Sequence, residues 1–187
     1  ISKQYVDHIW LVGSVVLVVK DNQLIYYKGF GFADAESKKP MPADAIFRIM
    51  SQTKAITSLG IMQLYEQGKL GLDQPVSDFI PEFKNPKVIR DYNPADTTYT
   101  TIPARREITI RDLLTHTSGI DYAAIGSDKM TAIYAKAGIP SGLGAFNTTL
   151  LAVMKKLGTL PIAHQPGEKF TYGLNSDVLG CLIEIIS

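Results

Sequence analysis

A single cysteine, Cys181, stands in a chain of 187 residues. One thiol cannot close an intramolecular disulfide, and it leaves no cysteine-based zinc site. Histidine is also scarce. His8, His116 and His164 lie far apart with no His-x-x-x-His pair, which disfavours a metal enzyme. Neither sign of charge dominates: 19 Lys and Arg against 18 Asp and Glu leave a net charge of +1. That balance gives no electrostatic reason to expect a nucleic-acid or polyanion partner. Long hydrophobic runs are missing too. The longest, Ile9 to Val19, is broken by Gly13 and Ser14 and falls short of the ~20 residues a bilayer span needs. No signal peptide is visible and the chain opens at Ile1 rather than Met, so the compartment stays open.

What is present is ordinary globular composition, 45% hydrophobic and 20% charged, which excludes a disordered tail. The length fits one domain or part of one. Leu11 to Lys20 and Gln23 to Phe30 are β-branched and aromatic runs joined by Asp21-Asn22, residues that tolerate the positive φ of a tight turn; they predict a β-hairpin over 11–30. Gly29-Phe30-Gly31, then Pro40 and Pro42, are expected to end the sheet character. From Lys54 to Gln67 the apolar residues occupy most of a helical circumference, so a buried helix is expected, closed by Gly68 at its C-terminal end. Pro75 to Phe79 reads as a short turn stopped by Pro81, and the polar stretch 82–106 as a long surface loop. Thr109 and Asp112 form a capping-box pattern opening a helix through Leu113 and Leu114. Ser127 and Thr148 are expected to cap two more helices, the second ending near Gly158. Asp177 to Ile186 carries an amphipathic stripe.

No serine is flanked by glycines in the Gly-x-Ser-x-Gly pattern, which closes the α/β-hydrolase elbow. Ser51-Gln52-Thr53-Lys54 does form a Ser-x-x-Lys pattern. Residues three apart share a helix face, so the amine can reach the hydroxyl. A lysine whose charge is disfavoured by burial can take the serine proton, and a serine at a helix start meets backbone N–H groups suited to an oxyanion. With eleven serines and fourteen lysines one such pairing by chance is unsurprising, and the spacing alone fits an N-cap serine beside a solvated lysine equally well. The context is more specific, since the pattern follows the apolar Ile46-Phe47 and opens the helix expected to be buried.

The segment Ile46-Phe47-Arg48-Ile49-Met50-Ser51-Gln52-Thr53-Lys54-Ala55-Ile56-Thr57 resembles the active-site region of the serine β-lactamase and penicillin-binding-protein-like family, closest to class C-like members and related carboxylesterases. Lys28-Gly29-Phe30-Gly31, Leu64 to Leu70, Asp73-Gln74-Pro75-Val76, Ile108 to Gly119 and Pro166-Gly167-Glu168 leading to Phe170-Thr171-Tyr172 follow in the family's order.

The resemblance implies an α+β fold of the β-lactamase/transpeptidase type, an antiparallel sheet with a helical portion. It implies one domain over 1–187 (sheet portion 1–50, mainly helical portion 51–187), incomplete at its C-terminal end. Ser51 would be the acylated nucleophile, Lys54 its proton acceptor and Tyr172 a second acid/base; read as a residue alone, Tyr172 equally fits a half-buried aromatic. No metal or cofactor is implied. The substrate would be a small ester, a D-amino-acid peptide or a β-lactam. Two departures matter. The family's Tyr-x-Asn is Tyr172-Gly173-Leu174 here, with Asn175 one place late, which tilts the reading from β-lactams toward esters. The family's third motif, of Lys/His/Trp-x-Gly type, has no counterpart, which leaves a non-hydrolytic penicillin-recognising or peptidoglycan-sensing module, or an inactive fragment, as the alternative. A C-terminal segment of the same protein would complete the sheet. His116 is expected to be structural and Cys181 a core residue. Nothing in the sequence decides whether Asp121, Tyr122 or the Thr97–Thr101 cluster lines a cleft.

Overall fold

The computed structural model describes residues 2–141 and 147–187. The chain forms two compact units, Ile1–Met50 and Ser51–Ser187.

The first unit holds a short helix, α1 (Ser2–Asp7), and three antiparallel strands: β1 (Gly13–Lys20), β2 (Gln23–Asp34) and β3 (Lys39–Pro40), in the order β1-β2-β3. The hairpin turn is Asp21-Asn22, with φ of 51° and 58°, the paired left-handed geometry of a two-residue hairpin loop. Register runs from Lys20 opposite Gln23 to Gly13 opposite Gly31, with a bulge at Val18/Val19. Strand β2 runs past Gly29-Phe30-Gly31 to Asp34, and sheet character then ends as expected at Pro40, the last residue of the short edge strand β3. Apolar side chains project from both faces of the hairpin and remain exposed, among them Leu17 at 56%, Val18 at 45% and Ile25 at 59%.

The second unit holds α2 (Thr53–Glu66), the antiparallel pair β4 (Lys87–Asn93) and β5 (Thr98–Pro103), α3 (Ile110–Leu114), α4 (Asp128–Lys136), α5 (Leu150–Gly158) and α6 (Asn175–Ile186). Helix α6 is the element against which α2, α3 and α5 pack. Its stripe Val178, Leu182 and neighbouring Leu179 and Cys181 is fully buried, and burial pushes the Cys181 thiol up to about 11, so this cysteine is an inert core residue. The long loop expected over 82–106 is instead the β4–β5 hairpin, whose Val88 and Ile89 enter the core.

Helix α2 departs from expectation. It ends as anticipated, on Gly68 at φ 69°, with the Gly68 N–H donating to Tyr65 and the Lys69 N–H to Leu64. Yet only Ile61 and Leu64 are buried, while Ile56, Leu59 and Tyr65 stand exposed.

The capping box at Thr109 is present in both directions: the Asp112 N–H donates to Thr109 Oγ1 and the Thr109 N–H to the Asp112 carboxylate. The buried Asp112 also receives a bidentate ion pair from Arg106, at 2.5 and 2.9 Å, and a hydrogen bond from Thr117. Burial opposes its ionisation, but the donors from Arg106 and Thr109 outweigh burial and hold the carboxyl below the usual carboxylate range. Ser127 does precede α4, though without a side-chain cap, and the cap of α5 is Thr149 rather than Thr148.

Candidate active site

The loop after α3 threads back along the segment that leads into α6. The Gly167 N–H donates to the Thr117 carbonyl, the Ala163 N–H to Gly119, the Thr171 N–H to His116 at 2.7 Å, and the Leu174 N–H to Asp121. Two backbone features permit this close pairing. Gly119 has φ 85°, and a Cβ on Gly173 would fall 2.8 Å from the Asp121 carbonyl and nearer still to the Ile120 oxygen. Tyr172 sits between these anchor points.

Ser51 lies on a 3₁₀ turn, Met50–Gln52, just ahead of α2, and Met50 takes φ 49° at its start. The residue at the N-cap is Gln52, and it makes no side-chain capping bond. The Ser51 hydroxyl is instead hydrogen-bonded to the Tyr172 hydroxyl at 2.8 Å. Lys54, in the first turn of α2 and half-buried, places its ammonium 4.7 Å from the centroid of the Tyr172 ring and 5.9 Å from that of Tyr122. The structure therefore brings Ser51, Lys54 and Tyr172 together.

Electrostatics follow from this packing. Hydrogen bonds from Lys54 first, and from Ser51 second, lower the Tyr172 phenol below the ordinary tyrosine value. Burial raises Tyr122 against the pull of Lys54, and burial likewise raises Asp177 of α6. Burial, reinforced by the Lys54 charge, lowers His116. A phenol whose ionised form is favoured in this way and that touches a serine hydroxyl can exchange a proton with that serine.

Two neighbours of Tyr172 were not singled out by spacing. The Tyr122 ring lies nearly parallel to it, 5.7 Å away at 5°, and His116 lies 5.3 Å away at 16°. Asp121, by contrast, does not line a cleft: it is buried, and its carboxylate accepts from the N–H groups of Tyr122 and Ser127 and from the Ser127 hydroxyl. Thr98 to Thr101 build β5. Asn175 is fully buried and held by Ser118 and His116, so its amide is not presented to a substrate. Leu174 and Asp177 form part of the wall of a cavity of about 190 Å³ that also includes Leu150, Val153 and Met154. Among the described residues no helix is long and apolar enough to cross a membrane.

Comparison with known proteins identifies the family and the fold. The Beta-lactamase family model matches residues 2–187. Protein Rv1367c of Mycobacterium tuberculosis is 38% identical over 177 residues, covering 94% of this chain and 42% of that protein. Esterase EstB of Burkholderia gladioli is 33% identical over 174 residues, covering 93% of this chain and 41% of its own length. Among solved structures, EstCE1, a hydrolase with promiscuous acyltransferase activity, superposes with a TM-score of 0.82 at 36% identity, covering 99% of this chain and 45% of that one. Simvastatin synthase (LovD) from Aspergillus terreus gives 0.76 at 25% identity, covering 99% and 46%. The chain thus spans less than half the length of these relatives. Its antiparallel strands and helices are those of the β-lactamase/transpeptidase fold, and the chain belongs to the beta-lactamase family.

Proposed function

We propose that this chain carries the acylation site of a serine hydrolase acting on small esters. The observation that carries the reading is the 2.8 Å contact between the Ser51 and Tyr172 hydroxyls beside the Lys54 ammonium. The Ser51 proton passes to the Tyr172 phenolate as Oγ bonds to the ester carbonyl carbon. The carbon–oxygen bond to the alcohol then breaks, and Tyr172 gives its proton to the leaving alkoxide. Water enters by the reverse sequence: it yields a proton to Tyr172, its oxygen bonds to the acyl carbon, and Ser51 leaves with the proton returned. Lys54 stabilises the phenolate throughout. Two features favour esters over β-lactams: Leu174 stands where the family usually has a substrate-binding asparagine, and Asn175 is committed to internal hydrogen bonds. The esterase and hydrolase relatives support the same class. The two units belong, in this reading, to one domain whose sheet is completed by a further segment of the same protein.

Turnover of a short-chain p-nitrophenyl ester, compared with a chromogenic cephalosporin, tests the reading in the full-length protein. Ester hydrolysis with fluorophosphonate labelling at Ser51, both lost in Ser51→Ala, is expected. Labelling elsewhere refutes the assignment. A stable β-lactam adduct on Ser51 without released product would point instead to a module that acylates without turnover.

A further inference from the structure

The direction of a buried hydrogen-bond chain beside Tyr172 is determined from one end to the other. The Ile120 N–H donates to Ser118 Oγ at 3.0 Å, so the Ser118 hydroxyl is free to donate, and it does so to Asn175 Oδ1 at 2.5 Å. That orients the Asn175 amide, whose Nδ2–H groups point to His116 Nδ1 at 2.9 Å. The Gly173 N–H aims at the same nitrogen from 3.4 Å. Both partners of Nδ1 are donors, so Nδ1 must be the bare nitrogen and the imidazole the neutral Nε2–H tautomer.

The same residue holds the other side of Tyr172. The His116 backbone takes φ 55°, and its carbonyl accepts the Thr171 N–H at 2.7 Å. The side chain of Thr171 is tied in turn to His164 Nε2 at 2.8 Å. His116 therefore touches residues 171, 173 and 175 and stacks on the ring of 172.

We infer that His116 is a positioning residue for Tyr172: its bare Nδ1 and its carbonyl clamp the backbone on both sides of the phenol and hold it against Ser51. The inference rests on the reading of Ser51 and Tyr172 as the reacting pair. Protonating Nδ1 would set N–H against the donors of Asn175 and Gly173 and release the clamp. The titratable and charged groups around the ring are Lys54 from α2 and Tyr172 itself; Tyr122 and Asp177 act on that cluster through Lys54 and Tyr172. Burial and the Lys54 charge both favour the neutral ring, so the clamp persists below the pH at which an ordinary histidine would charge.

The experiment compares His116→Asn, His116→Ala and Tyr172→Phe in the full-length protein. Asparagine can present an oxygen acceptor near the Nδ1 position and does not titrate. His116→Ala is expected to lower kcat by about 10–100-fold with KM little changed, in line with the cost of misplacing a reacting group. His116→Asn should recover most of that loss and should keep the Tyr172 limb of the wild-type kcat/KM profile while lacking the additional, lower-pH step that His116 protonation imposes. A lower-pH step retained in His116→Asn, or near-normal kcat in His116→Ala, overturns the inference. Tyr172→Phe separates the two claims: normal turnover there sinks the underlying mechanism, whereas lost turnover beside unaffected His116 variants sinks only the clamp. Nitrogen-15 spectra of the wild type give a readout independent of activity. An unprotonated Nδ1 and protonated Nε2 at neutral pH are expected, and the opposite tautomer overturns the inference even if the variants do not fold.

Discussion

Gly173→Ala is a perturbation of one carbon atom whose effect can be worked from distances. The added Cβ would stand 2.8 Å from the carbonyl carbon and oxygen of Asp121, and closer to the oxygen of Ile120. Comfortable carbon contacts begin at about 3.5 Å, so the 2.8 Å contacts alone require one side to retreat by about 0.7 Å. The 120–121 segment is poorly placed to yield. Ile120 is buried with its N–H on Ser118, the Asp121 N–H reaches the buried Tyr134 hydroxyl, and the Asp121 carboxylate is held by Tyr122 and Ser127. The retreat therefore falls on the segment bearing Tyr172. A phenol displaced that far no longer reaches Ser51, since the present 2.8 Å contact would open past the ~3.0 Å at which O–H···O bonds end. Displacements of about 1 Å can cost ~10²-fold in rate, so a fall in kcat of about 10–100-fold is expected with KM nearly unchanged. The accompanying overpacking should cost about 1–3 kcal/mol, visible as a lowered Tm. Ester turnover measured well below that Tm, with circular dichroism as the check on folding, decides it. A Gly173→Ala protein that turns over within twofold of wild type would refute the claim that this close approach sets the position of the phenol.

Lys54→Met removes the main cause of the lowered Tyr172 value, so the phenol must move up toward the ordinary tyrosine range. Since the deprotonated form is the proposed base, the rise of kcat/KM with pH should shift to higher pH and turnover near neutrality should fall; an unshifted profile would count against the phenolate. Asp112→Ala should cost about 2–3 kcal/mol, because it strands Arg106 and uncaps Thr109. Asp112 is held below its unfolded value, so its contribution is present above the ordinary carboxylate range and lost as pH falls through the folded value. Chemical denaturation across that range should show the wild type and Asp112→Ala converging at low pH.

Local chemistry was legible in the residues wherever the determinant lay within a few positions. Asp21-Asn22, Thr109 with Asp112 and Gly68 each act on the backbone beside them, and each forms the turn, cap or stop expected. The β4–β5 hairpin resembles a loop in sequence because its alternation is broken by a register shift between Ile89 and Tyr92 and its strands are rich in polar residues. Thr98 to Ile102, a β-branched run, was the available signal. Ser51, Lys54 and Tyr172 came to notice through a short pattern and its resemblance to a family. The placement of Tyr122 and His116 beside Tyr172 did not, because it depends on residues 116–121 pairing with 163–174 across an intervening stretch that includes α4 and α5. No period or spacing encodes such a juxtaposition.

The exposed apolar surfaces lead to a prediction about the 187 residues by themselves. Strand β1 is an edge strand, with its outer N–H and C=O groups free of any strand partner in its sheet. Leu17 and Val19 alternate with Val18 along it, and Leu24 and Ile25 follow on β2, each 45% exposed or more. A hairpin apolar on both faces belongs inside a layered structure, and an open apolar edge invites pairing with another chain. Helix α2 makes the same point independently, since Ile56 and Leu59 remain more than half exposed on a helix apolar nearly all round. Relatives in which this chain spans 41–45% of the length supply a natural source of cover. Expressed alone, residues 1–187 should therefore associate or bind a hydrophobic dye strongly, and co-expression with the rest of the protein should abolish both. Size-exclusion chromatography, dye fluorescence and a thermal melt measure this directly. A soluble monomer of 187 residues with weak dye binding, a cooperative melt and full esterase activity would mean that these surfaces need no cover, and the argument from apolar exposure would fail.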